Sequence, residues 1–119
     1  MLDEKMTRKM GKSICMSFRA PLKCMRAKEN MTYESFMTRE FGNDPVERFL
    51  AAMQEAGKSS EKAGIYLFSK YYLGMSDEDI CALIGSRDRK MRRIKTEAYV
   101  MIATLEGAVV ERKDKDLAA

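Results

Sequence analysis

Apolar residues recur at helical spacing along most of the chain, and short polar or glycine-containing stretches separate these runs. In one run, Val46, Phe49, Leu50 and Met53 follow the i, i+3, i+4, i+7 pattern of a single helix face. No run shows the strict alternation of a half-buried strand. The pattern predicts five helices, over residues 33–41, 45–56, 60–73, 77–84 and 87–105.

Start and stop signals set the limits of these helices. Asp44 followed by Pro45 is a strong start signal, because the carboxylate can cap the helix and proline suits the first helical position. The other predicted N-caps are hydroxyl residues: Thr32, Ser60 (or Ser59), Ser76 and Ser86. Glycines are predicted to end four of the helices, at Gly42, Gly57, Gly74 and Gly85.

The composition agrees with a helical protein. Lys, Arg, Glu, Met, Ala and Leu dominate the 119 residues, and there are only two prolines. We therefore expect an all-α protein, a small helical domain with a C-terminal helix-turn-helix. Its expected parts are a basic segment over 1–30, a helical support region over 31–58, the helix-turn-helix region over 59–106 and a charged tail over 107–119.

The N-terminal segment has two readings. Met6 and Met10 allow a short helix before Gly11, and a second short helix could start at Pro21, but the segment could equally be a mobile arm. Its four N-terminal cations would then anchor a nucleic acid: Lys5, Arg8, Lys9 and Lys12. The alternative is that the segment packs into the core through Ile14, Met16, Phe18, Leu22 and Met25.

Charge is unevenly distributed. The net charge is +4, but residues 1–28 carry +6, residues 29–85 carry −5 and residues 86–105 carry +4. Two basic blocks around an acidic middle suggest two contact surfaces for a polyanion.

The most informative stretch is residues 76–98, SDEDICALIGSRDRKMRRIKTEA. A short acidic helix, a glycine turn and a basic helix with an apolar stripe are typical of a helix-turn-helix. We expect Leu83, Ile84, Met91, Ile94 and Ala98 to be buried. The predicted DNA-binding residues are Ser86, Arg87, Asp88, Arg89, Lys90, Arg92, Arg93 and Lys95.

The position of each residue on the second helix suggests its role. The N-terminal turns of such a helix meet base edges, which assigns base contacts to Arg87, Asp88, Lys90 and Arg93. Phosphate contacts are assigned to the flanking cations Arg89, Arg92 and Lys95. Ser86 is expected both to cap the helix and to touch a phosphate.

The string YYLGMSDEDICALIGSRDRKMRRIKTEAYVMIATL resembles sigma-factor region four and the phage late-gene activators of the ArpU and RinA type. Glu78, Ile80, Ala82, Ile84 and Gly85 approximate the second helix of that pattern. The apolar positions of its third helix are matched by Met91, Ile94, Ala98 and Leu105. The resemblance covers about residues 60–106 and implies a sequence-specific transcriptional regulator, an activator of phage or prophage genes, whose partners are double-stranded DNA and RNA polymerase.

Two other classes remain open: a DNA-packaging subunit like a small terminase, and a small interaction protein that binds RNA polymerase. A homodimer is compatible with each of these readings. Catalysis is not expected, because the chain has no histidine and neither a GxGxxG nor a GxxxxGK(S/T) motif.

We expect no cofactor and no metal site, since Cys15, Cys24 and Cys81 have no zinc-module spacing and suit free thiols in a reducing cytosol. The acidic cluster at residues 77–79 is expected to serve helix capping. No apolar run approaches the roughly 20 residues that span a bilayer, and we expect a cytoplasmic protein.

Overall fold

The computed structural model describes residues 3–107, and every regular element in that part of the chain is helical, as predicted. Residues 108–119 of the predicted charged tail lie outside the described residues. The helices are α1 (Glu4–Ser17), α2 (Arg19–Lys28), α3 (Tyr33–Thr38), α4 (Pro45–Ser59), α5 (Glu61–Leu67), which continues as a π-helical segment (Phe68–Tyr72), α6 (Asp77–Ile84) and α7 (Asp88–Leu105).

The N-terminal segment forms α1 and α2 and packs into the core, so the expectation of a mobile arm is wrong for residues 4–28. Helix α1 passes through Gly11, and this glycine lies directly against α7. A Cβ atom at Gly11 would be 1.8 Å from the Tyr99 carbonyl oxygen. The glycine therefore permits a close helix contact and does not end a helix. Met16, which the core alternative included, is 48% exposed.

Helix α2 begins at Arg19, two residues before the predicted start at Pro21. Proline fits there because the first turn of a helix has no internal acceptor for its N–H groups. The first internal bond follows at once, where Leu22 N donates to the Phe18 carbonyl at 3.0 Å. Leu22 is fully buried, and the Phe18 ring stacks on Phe49 with centroids 4.4 Å apart.

Helix α3 ends at Thr38, three residues before the predicted end. The Gln54 side chain of α4 donates to the carbonyl oxygens of Phe36 at 2.9 Å and Arg39 at 2.7 Å. The Gln54 side chain thus provides donors for two backbone carbonyl groups at the end of α3. Arg39, the residue after the helix, adopts an extended conformation.

Helices α4 and α5 form an antiparallel pair around two glycines. Gly57 was predicted to end α4, but the helix continues to Ser59. A Cβ atom at Gly64 would lie 2.4 Å from the Cα atom of Gly57, so the two backbones touch. A Cβ atom at Gly57 itself would lie 2.6 Å from the Tyr33 hydroxyl oxygen, so the side chains of α3 require a glycine there.

The π-helical segment lies between α5 and α6. Leu73 N donates to the Phe68 carbonyl at 3.0 Å, an i to i+5 bond. Both Tyr71 and Tyr72 are buried, whereas Lys70 reaches the surface. The segment thus places two adjacent aromatic rings in the core.

The core contains most of the residues predicted for α6 and α7. Met91, Ile94 and Ala98 are buried, and Ile84 is half-buried against the core. Leu83 is 60% exposed, so its predicted burial is wrong. Ile80 and Ile84 lie on the inward side of α6, and the helical repeat places Leu83 about 60° from Ile80 and about 100° from Ile84, away from the core.

Candidate nucleic-acid interface

The turn between α6 and α7 is short and well defined. Ser76 caps α6 as predicted, because its Oγ accepts from Asp79 N at 3.2 Å. Gly85 has φ of +71°, the left-handed conformation expected at a helix end. Gly85 N and Ser86 N both donate to the Cys81 carbonyl, at 2.9 and 3.2 Å. The two helices are therefore joined by residues 85–87 without further loop.

Ser86 does not cap α7, contrary to the prediction. The residue is 6% exposed, and its Oγ has no hydrogen-bond partner among residues 3–107. Arg87 occupies the N-cap position and makes no side-chain capping bond. The Cys81 thiol donates to the Ser86 carbonyl, which holds the turn against α6. A buried Ser86 Oγ is poorly placed for the expected phosphate contact.

The basic side chains of α7 lie on its exposed surface. The α7 basic face consists of the exposed residues Arg87, Arg89, Lys90, Arg92 and Arg93. Asp88 is also exposed and lies in the first turn of the helix. Met91, Ile94 and Ala98 form the opposite, buried side. One side of α7 is therefore buried and apolar, and the opposite side is exposed and cationic.

Lys95 differs from the other predicted DNA-binding cations. Its Nζ lies 2.8 Å from Asp77 Oδ2, and Lys70 Nζ lies 2.9 Å from Asp77 Oδ1. Tyr66 also donates to Asp77 Oδ1 at 3.0 Å. Partial burial disfavours the ionised carboxylate, but the bonds from Lys95, Lys70 and Tyr66 outweigh it and lower the pKa of Asp77 to about 2. Lys95 therefore ties α7 to α6.

A chain of tyrosine hydroxyls continues this network into the core. The Tyr99 hydroxyl lies 3.2 Å from that of Tyr66 and 2.6 Å from that of Tyr71. Each hydroxyl has one hydrogen, and Tyr66 uses its own on Asp77. Tyr99 must then donate to Tyr66, and Tyr71 to Tyr99. Burial raises the pKa of all three hydroxyls well above the usual range, so they stay neutral.

The sequence did not reveal this role of Asp77. The residue was expected to serve helix capping, and its position at the start of α6 suits that interpretation. Its partners Tyr66 and Lys70 lie four residues apart on one helical stretch, whereas Lys95 lies on α7, and no local spacing brings these residues to Asp77. The function of Asp77 is to fix the relative position of α5, α6 and α7.

The exposed cations of α1 lie beside α7. Lys5, Arg8, Lys9 and Lys12 form the α1 basic face, while Thr7, Gly11 and Cys15 are buried on the other side of the helix. Lys5 and Arg8 line a shallow depression together with Thr96 of α7. Glu4 lines a neighbouring depression with Arg92 and Arg93. The two basic faces are thus neighbours.

Other types of site were also sought between residues 3 and 107. Within that range, no three or more Asp, Glu or Cys side chains are grouped so as to hold a metal ion. The helices described there lack the combined length and apolar character needed to cross a bilayer. Cys15 is buried, Cys24 exposed and Cys81 half-buried, and all three are free.

Comparison with known proteins finds no family model, no curated protein and no solved structure that matches this chain.

Proposed function

We propose that the protein is a sequence-specific DNA-binding transcriptional regulator without catalytic activity, and that α7 reads the major groove as the second helix of a helix-turn-helix. The observation that carries the proposal is the α7 basic face: five cations are exposed at the N-terminal end of a helix whose other side is buried. That end of such a helix is the part that meets base edges.

The environment of α7 supports this reading. The ion pair between Lys95 and Asp77 and the turn at Gly85 hold α6 and α7 in one fixed arrangement. A fixed arrangement lets a helix present its side chains to base edges in one register. The neighbouring α1 basic face would add backbone contacts without sequence preference.

In this proposal the individual residues have different roles. Arg87, Lys90 and Arg93, with Asp88, keep the base-reading role, and Arg89 and Arg92 keep the phosphate role. Ser86 is removed from the contact set because it is buried. Lys95 contributes by orienting α7, since its ammonium group is already paired with Asp77.

Activation of phage or prophage genes is the biological role that the resemblance to late-gene activators implies. Such a regulator would act in the cytoplasm, where its DNA is, and RNA polymerase would be its protein partner.

The test is selection of duplexes from a random library by the purified protein, followed by binding measurements on the recovered sequence. Replacing Arg87, Lys90 and Arg93 with alanine should weaken binding to the selected duplex about 10-fold or more, because an arginine that pairs with guanine contributes about 1–3 kcal/mol of discrimination. The matched control removes three exposed cations from α4 and α5, in the variant R48A/K58A/K62A.

The outcomes separate the parts of the proposal. If the library yields no bound duplex, DNA binding is excluded. If the α7 variant binds the selected duplex as tightly as the wild type does, α7 is not the reader. If the α7 variant and the control lose the same affinity for the selected duplex, the loss is due to overall charge and not to contacts made by α7. Circular dichroism should show that both variants keep the wild-type helical content.

A further inference from the structure

A cationic pocket lies between α2 and the π-helical segment, outside the surface considered so far. Four basic side chains line it: Arg19, Lys23, Arg26 and Lys70. Its volume is about 440 Å³. Arg19 and Lys23 are exposed and lie four residues apart, on the same face of α2.

Within residues 3–107, no carboxylate neutralises the charge of Arg19 and Lys23 in this α2 cationic pocket. Among the ion pairs of residues 3–107, none involves Arg19 or Lys23, and no carboxylate lines the pocket. Lys70 alone is paired, with Asp77. Two exposed cations therefore face solvent without a counter-charge from the described part of the chain.

Arg26 has a different function from its neighbours. Its Nη1 donates to the carbonyl oxygens of Tyr72, at 3.3 Å, and Leu73. These bonds join α2 to the end of the π-helical segment. They fix the orientation of the α2 face that carries Arg19 and Lys23. Arg19 and Lys23 are consequently held in place on a rigid element while their charged groups stay available.

The lining of the pocket favours a polyanion over a folded protein partner. Protein interfaces are anchored by buried aromatic or aliphatic side chains. Here Tyr71 is 4% exposed, and its hydroxyl is already bonded to Tyr99. Phosphate groups need only cations, which this pocket supplies.

The pocket is also linked to α7 through one carboxylate. Lys70 of the pocket and Lys95 of α7 bind the two oxygens of Asp77, at 2.9 and 2.8 Å. A DNA duplex that lies on α7 and extends past Asp77 would bring its sugar-phosphate backbone to the pocket. Arg19 and Lys23 are separated by about 6 Å along the helix axis, a spacing that lets each meet a phosphate of one strand.

We infer that the α2 cationic pocket is a second DNA contact, which binds the phosphate backbone beside the helix that reads the bases. The inference rests on the proposed function, because it places the same duplex on both surfaces. Arg19 and Lys23 make the contacts, and Arg26 positions them.

The experiment measures duplex affinity against salt concentration for the variant R19A/K23A and for the control K58A/K62A, which removes two exposed lysines from α4 and α5. Each lost phosphate contact lowers the slope of log K against log salt by about one unit. The slope should fall by about two in R19A/K23A and stay at the wild-type value in the control. Selected and random duplexes should lose affinity equally, since phosphates carry no sequence information.

An unchanged slope in R19A/K23A overturns the inference and leaves an acidic protein segment as the occupant of the pocket. A loss confined to the selected duplex also overturns it. If alanine lowers the melting temperature, R19Q/K23Q removes the charge while keeping the Cβ, Cγ and Cδ atoms of each side chain. The two proposals fail separately. A lowered slope in R19A/K23A together with wild-type binding by R87A/K90A/R93A removes only the role of α7. An unchanged slope in R19A/K23A together with weakened binding by R87A/K90A/R93A removes only the role of α2.

Discussion

Gly11 is the residue at which the packing of α1 on α7 is tightest. Gly11→Ala would place a methyl group 1.8 Å from the backbone oxygen of Tyr99, which cannot rotate away. We expect the helices to separate and the free energy of unfolding to fall by about 1–3 kcal/mol or more. Urea unfolding followed by circular dichroism measures this.

Ser13→Ala is the matched control for Gly11, because Ser13 is an exposed residue of the same helix. This change should leave stability unaltered or raise it slightly, since alanine favours helices. If the Gly11→Ala variant were as stable as the Ser13→Ala variant, α1 and α7 would not be in close contact at Gly11.

Asp77 makes stability depend on pH. Its pKa of about 2 in the folded protein lies below the ordinary value of 3.8, so its ionised form stabilises the fold above about pH 4. This stabilisation is lost as the pH falls from about 4 to about 2. We expect Asp77→Asn to cost about 1 kcal/mol at pH 7, a value reduced for the partial exposure of the pairs.

Thermal melts at pH 7 and at pH 2 test the role of Asp77. The difference between wild type and Asp77→Asn should shrink at the lower pH. The control is Asp79→Asn, which changes an exposed carboxylate of the same helix. A difference that persists at pH 2 would show that the ion pairs with Lys70 and Lys95 are not its cause.

At the scale of the element, the two serines around α6 should behave differently. Ser76→Ala removes the cap of α6 and should cost about 1 kcal/mol. Ser86→Ala removes a buried hydroxyl without a partner and should be neutral or stabilising. Chemical denaturation of both variants measures the two effects.

Equal losses in Ser76→Ala and Ser86→Ala would mean that Ser86 caps α7 after all. Because Ser86 is buried, its replacement should also leave duplex affinity unchanged.

The sequence predicted the helices well where local chemistry determines them. Thr32, Asp44, Ser60 and Ser76 all cap helices as expected, because a cap bonds to a backbone group only two or three residues away. The all-α class follows from the same short-range patterns. The sequence also placed the exposed cations of α7 opposite Met91 and Ile94, since one helical repeat determines both.

Features that depend on distant partners were missed. Gly11 and Gly57 were interpreted as helix ends, whereas each permits contact with another backbone, which no local pattern can reveal. The partners of Asp77 come from α5, the π-helical segment and α7. Leu83 followed the apolar pattern of a buried residue, but no element covers that side of α6 among the described residues.

At the scale of the whole molecule, α1 contributes both stability and charge, and two variants distinguish these contributions. Removing residues 1–12 deletes the buried residues Thr7 and Gly11 and should lower Tm by roughly 10 °C or more. Replacing Lys5, Arg8, Lys9 and Lys12 with alanine keeps the helix contact, so Tm should barely change while affinity falls equally for selected and random duplexes.

Calorimetry and salt-dependent duplex binding measure the two effects of α1. If the four-alanine variant binds both duplexes as the wild type does, the α1 basic face has no role in DNA contact. If the truncated protein melts at the wild-type temperature, the contact of α1 with α7 does not stabilise the fold.

The contact between Gly11 and Tyr99 also has a consequence for synthesis on the ribosome. The two residues are separated by 88 positions in the chain, so α1 is made long before the helix that covers it. At about 5–20 residues per second, Gly11 waits roughly 4–18 s for Tyr99 to be added. Until then α7 cannot cover the Cys15 thiol, which is fully buried in the folded protein. Burial of this thiol therefore has to wait for the C-terminal helix.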